Sequence, residues 1–463
     1  MLAEAPAIYR QQRLAWPEDE TSVRFLNPIS GDNKHLPVHR WVNWIAGFSG
    51  GFVGHLLDCQ LAAGELAPGD VVLDPFMGVG TTLLEAQRRG LECIGFDINP
   101  FPFLAAKTKL ELAELDVADL QRRIADYRAR LQPIELAIDN EDWEHVPKPK
   151  RAAPSGFRSR IPFFAPLVEA KVLATLDFID EIPSEASRDL FRLAFATTMV
   201  SFSNYSYEPS LATRPGSGKP LIENASVVGI VGAKLAEMLV DIEQHIRILA
   251  EAPGDRRFSL YLESFLHGAN RLPENSVHFV VTSPPYLNNY HYVRNTRPHL
   301  FWLDFVSSPQ DLRRYETASF GKFWQTVRDG EEINLAFDMP RLQALLDQLR
   351  ALNPEKGIYG GAGWANYAAS YFNDSATFFE KLHRVLRPGA SAVIVVGNNL
   401  LQGIEFRVDD EMVAIAERMG FQARTDVIRE TRVGSSIIGT GLREKPGGRC
   451  SLYEAAVTVT KRR

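Results

Sequence analysis

Apolar positions along this chain follow two different periods. From residue 70 the segment DVVLDPFMGVGTTLLEAQRRGLECIGFDINP opens with a β-branched run at 71–73, breaks into glycines, and resumes with Leu83, Leu84 and Ala86 at helical spacing. Gly90 ends that helix, 93–96 form a second apolar run, and Asp97 stands at its carboxyl end. A strand, a glycine turn, a helix and a parallel strand are predicted. Beyond residue 103 the period changes to three and four. KTKLELAELDVADLQRRIADYRARL, PLVEAKVLATLDFIDEI, SRDLFRLAFATTMVSF and VGAKLAEMLVDIEQHIRILAEA all read as helices, without strand-like alternation. Strand signals return at 258–262, 277–281 and 392–396, followed by a helix at 409–419 and closing strands near 423–428 and 452–459. The predicted class is α/β, a sheet interrupted by a mostly helical insertion at 113–255. Domain bounds of 20–112 with 256–463, and 113–255, follow.

Composition narrows the class of protein. With 463 residues, 45% hydrophobic and 23% charged, the chain is globular and large enough for more than one folded unit. It contains no run of about 18–20 apolar residues, and its first twenty residues carry acids and prolines, so a cytoplasmic protein without membrane contact is expected. Cys59, Cys93 and Cys450 form no C-x-x-C pair, so neither a disulfide framework nor a cysteine metal site is expected. A net charge of −6 excludes a uniformly basic surface but leaves room for a local basic groove.

Two motifs carry chemistry. DPFMGVG at 74–80 puts glycines where a strand turns sharply into a helix and a ligand approaches the backbone. Its spacing is not G-x-G-x-x-G and no Lys-Ser or Lys-Thr follows, which disfavours a phosphate ligand. Asp97 suits the two hydroxyls of a ribose, though a solvated strand-end carboxylate would look the same. The second motif, Ser283-Pro284-Pro285-Tyr286, ends an apolar strand. Prolines donate no backbone hydrogen bond, so the Ser283 and Pro284 carbonyls are acceptors for an amine, and Tyr286 supplies a face on which a planar base can stack. A strand-ending turn has the same letters.

Together DPFMGVGTTLLEA, GFDINP and TSPPY resemble the motifs of the DNA amino-methyltransferases, which methylate N4 of cytosine or N6 of adenine with S-adenosylmethionine. KHLPVHRWVNWIAGFSGGFVGHLL is similar to the family segment that lies against the methionine part of the cofactor, and LRPGASAVIVVGNN to a later sheet strand. The resemblance covers about 40–105 and 258–460. It implies a Rossmann-like class I methyltransferase sheet. It also implies a cofactor cradle of Asp74, Phe76, Gly78, Gly80 and Thr81, with Asp97 on the ribose. Ser283, Pro284, Pro285 and Tyr286 become the catalytic tetrapeptide. The family's third-strand Asp has no match here; Glu263 and Ser264 are the nearest candidates for the adenine amine, with Glu263 preferred. A leading Ser leans towards N4-cytosine within the family, with N6-adenine as the alternative. Carbon-5 methylation needs a nucleophilic cysteine, typically after a proline, and no cysteine here follows one.

Double-stranded DNA is the expected partner, with a cognate restriction endonuclease a further expectation and the oligomeric state open. LNNYHYVRNTR interleaves Tyr290 and Tyr292 with Arg294 and Arg297, suited to stacking and to phosphates beside a flipped base, or to a helix with exposed arginines. HVPKPKRAAPSGFRSR is basic and acid-free, and 424–463 holds nine Lys or Arg against four Asp or Glu. Roughly 200 residues separate Gly80 from Ser283, where a bare core needs about a hundred. The insertion is therefore a candidate recognition element, or a structural cap or dimer interface, and 306–375 with its Gly-rich KGIYGGAGWANY is a candidate DNA-contacting loop. An RNA or tRNA base N-methyltransferase is the alternative enzyme, and a non-catalytic cofactor-binding subunit the alternative class.

Overall fold

The computed structural model describes residues 25–26, 28, 30–44, 47–207, 210–254, 257–287, 291–431 and 452–463. Seven strands form one sheet: β1 (Val71–Asp74), β2 (Glu92–Phe96), β3 (Phe258–Tyr261), β4 (Val277–Thr282), β5 (Leu386–Gly397), β6 (Phe421–Thr431) and β7 (Leu452–Lys461). Their order is β6-β7-β5-β4-β1-β2-β3. All neighbours pair in parallel except β7, antiparallel to both β5 and β6. The expected Rossmann-like α/β sheet is present. The apolar runs 71–73 of β1 and 279–281 of β4 follow from helices that cover both faces of the sheet.

One face packs under α1 (Gly50–Ala62), α2 (Thr81–Gln87) and α3 (Pro100–Leu110). Four insertion helices follow: α4 (Val117–Asp139), α5 (Pro166–Asp180), α6 (Glu185–Thr198) and α7 (Val227–Glu251). After β4 come α8 (Tyr292–Trp302), and later α9 (Gly361–Val385) and α10 (Val408–Arg418); the last two cover the other face of the sheet. Side-chain caps explain several starts: Asn99 accepts from the Phe101 N–H, Asp116 from that of Asp119 and Ser226 from that of Gly229.

The insertion is not all helix. A hairpin, Tyr205–Tyr207 against Leu211–Thr213, interrupts it, with strands too short for an alternating pattern to register. Its helices share one hydrophobic cluster with Val38, Trp41, Leu84, Phe101 and Leu104 of the sheet region and with Leu300 and Phe301 of α8. Gly360, Gly361 and Gly363, read from the sequence as part of a loop, instead pack the start of α9. A Cβ on Gly361 would lie 1.7 Å from the Leu349 carbonyl oxygen, an approach that only glycine permits.

Candidate active site

The strand order reverses at the β1–β4 boundary, the point in an open α/β sheet where carboxyl ends leave a crevice. Adjacent carboxyl ends there bring together residues far apart in sequence. Glu263 follows β3, Asp97 follows β2, Asp74 ends β1 and Ser283 follows β4. The Thr282 hydroxyl donates to Asp74 Oδ1 at 2.6 Å across 208 residues, and Thr82 Oγ1 to the Val281 carbonyl at 3.2 Å. These two bonds lock the glycine turn to the end of the strand that carries Ser283.

Within the turn, Gly78 has φ +48° and Gly80 φ +81°, in the left-handed region that favours glycine. The Gly78 N–H donates to Asp97 Oδ2 at 3.0 Å, and the Asn99 N–H to Asp97 Oδ1 at 2.7 Å. Both favour a charged Asp97, yet burial prevails and pushes its carboxyl up to about 7. Burial likewise raises Asp74 to about 6, against the hydrogen bonds from Thr282, Thr82 and the Phe76 N–H.

A pocket opens over these strand ends. Asp74, Phe76, Gly78, Thr81, Asp97 and Glu263 line it, as do Ser283 and Pro285. Gly80, expected in the cradle, does not: its absent Cβ makes room for Ala106 of α3, 2.9 Å from where that atom would stand. Among the described residues the polar lining has three carboxylates and no lysine, arginine or histidine, while Trp44, Phe48, Phe265 and Phe320 supply aromatic walls. Such a donor set suits a cationic ligand with hydroxyls and a planar ring, and opposes a phosphate. S-Adenosylmethionine fits that description.

In the tetrapeptide, the Ser283 hydroxyl donates to the Val395 carbonyl of β5 at 3.2 Å, which leaves its lone pairs as acceptors. Tyr286 is not among the residues that line the cavity. Its ring packs against Gly397, whose Cβ would stand 3.3 Å from two ring carbons, and its hydroxyl donates to Glu454 Oε1 at 3.3 Å. Glu454 is also paired with Arg429 at 3.3 Å. Glu263 forms an ion pair with Arg271.

The residues expected to hold substrate separate. Tyr290 lies outside the described residues. Arg294 is exposed on α8, immediately after the cavity-lining Tyr292 and Val293. Arg297 is half buried and engaged inside the protein: it donates to the Arg158 carbonyl and lies over the rings of Phe157 and Phe301, 5.3 and 5.9 Å away. Of the basic 424–463 segment, 432–451 lie outside the described residues, and Lys461 donates to the His383 and Leu386 carbonyls.

Residue-level reading of the sequence passed over Trp44, Phe48 and Asp241, whereas Tyr292, read as a stacking residue, does line the cavity. Trp44 and Tyr292 stack 5.8 Å apart at the cavity wall. Asp241, 1% exposed on α7, accepts from the Val38 N–H (2.9 Å), Arg40 Nε (2.9 Å) and Nη2 (2.6 Å), and Trp41 Nε1 (2.9 Å). A second anchor joins His39 Nε2 to Glu85 Oε1 of α2 at 2.8 Å, with burial lowering His39 to about 4 so that it is neutral. These bonds hold the segment from which Trp44 and Phe48 reach the cavity. Its sequence signal was the aromatic-rich HRWVNWIAGF; nothing marked Asp241 within an ordinary helical pattern.

Comparison with known proteins agrees with this arrangement. A family model for N6/N4 methyltransferases, described as DNA methylase, matches residues 65–107, which contain the glycine turn and Asp97. The type II methyltransferase M.BsoBI of Geobacillus stearothermophilus is 24% identical over 434 residues, 87% of this chain and 82% of its own. M.AvaI of Nostoc sp., also a type II methyltransferase, is 23% identical over 423 residues, covering 87% and 83%. M.MjaII of Methanocaldococcus jannaschii, another, is 36% identical over 102 residues, 22% of this chain and 19% of its own. The sequence resemblance to the DNA amino-methyltransferases is thereby borne out, and S-adenosylmethionine is the methyl donor of that family.

Proposed function

We propose that this chain, a relative of the N6/N4 DNA methylases, transfers a methyl group from S-adenosylmethionine to the exocyclic amine of a base flipped out of duplex DNA, N4 of cytosine in the first place. The observation that carries the reading is one cavity lined by the glycine turn, by Asp97 and by Ser283 and Pro285. Asp74, Phe76, Gly78, Thr81 and Asp97 would hold the cofactor, with Glu263 at its adenine end. When bound, it supplies a methyl group on a positively charged sulfur.

The protein's part is to present the amine. The Ser283 oxygen, its proton directed at Val395, and the Pro284 carbonyl accept the two amine hydrogens. That draws the nitrogen lone pair out of conjugation with the ring and orients it for attack. After transfer the nitrogen releases one proton to solvent. Neither described cysteine lines the cavity, and the Cys93 thiol is buried against the Leu83 and Leu91 carbonyls, which supports direct transfer over a covalent intermediate. Cytosine over adenine rests on the leading Ser283.

Methyl incorporation from labelled S-adenosylmethionine into unmethylated genomic DNA, followed by nucleoside mass spectrometry, tests the reading. N4-methylcytosine is the expected product. N6-methyladenine would overturn the base assignment, and label in RNA but not in DNA would overturn the substrate.

A further inference from the structure

The structure sorts the basic segment 148–160 into two halves. Lys150 Nζ pairs with Glu181 at 2.7 Å, and Arg151 pairs with Asp180 and Asp304, so these charges are neutralised against the protein. Arg158 and Arg160 differ. Both are exposed, and neither side chain has a hydrogen-bond or ion-pair partner among the described residues.

Their position is held from two sides. The Arg158 carbonyl accepts from Arg297 of α8, and the Arg160 N–H donates to the Tyr205 hydroxyl at 3.1 Å. Tyr205 begins the hairpin, and the hairpin is itself fastened to α8. The Tyr207 hydroxyl donates to the Asn295 carbonyl, and the Leu211 N–H to Asn295 Oδ1, each at 2.9 Å. Asn295 adjoins Arg294, a third exposed arginine without a side-chain partner among the described residues, and Arg294 adjoins the cavity-lining Val293.

We infer that Arg158 and Arg160 of the insertion join Arg294 in a cationic wall that grips the phosphate backbone of duplex DNA beside the cavity, an inference that rests on the DNA substrate read above. Guanidinium groups match phosphate bidentately, and anchored backbone reduces the ordering cost of binding. In a chain of net charge −6, electrostatic affinity for DNA must come from such local concentrations of unpaired cations.

The test is the salt dependence of affinity for a labelled mixed-sequence duplex, read by fluorescence anisotropy on the full chain. Each lost phosphate contact flattens the slope of log affinity against log salt by about 0.9, so the double substitution Arg158→Gln with Arg160→Gln should flatten it by about 1.8. Calorimetric affinity for S-adenosylmethionine should stay unchanged, and Arg158→Lys with Arg160→Lys should keep most of the slope. The pair Lys150→Gln with Arg151→Gln should leave the slope intact. An unchanged slope in the Arg158/Arg160 variant, or a flattened one only in the Lys150/Arg151 variant, overturns the wall while leaving the DNA reading in place. Wild-type protein that binds RNA but no duplex overturns both.

Discussion

Asp97 is where two opposing effects meet in one side chain. Backbone N–H groups of Gly78 and Asn99 favour its charge, burial disfavours it, and the balance sits near neutral pH. A bound cation whose hydroxyls donate to the carboxylate needs the ionised form. Cofactor affinity should therefore rise as pH increases through about 7 and level off above, and Asp97→Asn should abolish that rise as well as weaken binding. Calorimetric titrations at a series of pH values measure it; a parallel rise in Asp97→Asn would assign the titration to another group. Stability of the ligand-free protein runs the other way. The folded chain holds protons on Asp97 and Asp74 that the unfolded chain has lost, so stability should fall as pH rises from about 4 to 7. Tyr286 offers a second test. A base–aromatic stack is worth about 1–3 kcal/mol, so Tyr286→Ala should slow single-turnover methyl transfer roughly 5- to 150-fold. Tyr286→Phe, which keeps the ring and loses the hydroxyl's bonds to Glu454 and Ser283, should keep most of the rate. Equal losses in both variants would make Tyr286 a tether to β7 instead of a stacking face.

Among the elements, α7 has a reach that its sequence does not advertise. Asp241 gathers four hydrogen bonds from three residues of the 38–41 segment, where Val38 is held at φ 70°. A β-branched residue is strained in that region, at roughly 1–3 kcal/mol, and the clamp offsets it. Asp241→Ala would leave the Val38 N–H and Trp41 Nε1 buried without an acceptor, at about 1–3 kcal/mol each, while the partly exposed Arg40 turns to water. The expected outcome is a thermal midpoint several degrees lower and, beyond that, weaker cofactor binding in protein still folded at low temperature. The second effect follows because Trp44 and Phe48 extend from the released segment. Unchanged cofactor affinity would confine Asp241 to a structural role. Asp241→Asn, which keeps an acceptor oxygen, should recover part of both.

At the scale of the molecule, the insertion shares its core with the sheet region. Val38, Trp41, Phe101 and Leu104 lie in the same cluster as Leu190, Phe195, Leu235 and Met238. Calorimetric unfolding of the intact chain should accordingly show residues 113–255 melting together with the sheet in one transition. Two well-separated transitions would make the insertion an independent domain. The same packing explains why helices far from the sheet shape the cavity and its rim: α7 holds one wall through Asp241, and the 157–160 loop rests on α8.

Much of this protein was decided by local pattern. β1, the glycine turn, α2 and β2 were legible because apolar period and glycine placement are properties of consecutive residues, as was the lack of a lysine after the turn. The carboxyl-end positions of Asp74, Asp97 and Ser283 followed from the same runs. Which motifs would meet was legible only through resemblance. That Thr282 bonds Asp74 depends on β1 and β4 being neighbours, a pairing 208 residues apart in the chain. The fate of each arginine was equally hidden. Arg151 and Arg160 stand in one basic run, yet one faces Asp180 and Asp304 while the other faces solvent. Arg294 and Arg297 are one helical turn apart, yet one is exposed and the other lies on Phe157 and Phe301. A charge is fixed by the sequence, but the partner that neutralises it comes from another element, so only the packing of α5, α8 and the 157–160 loop determined which cations remain free.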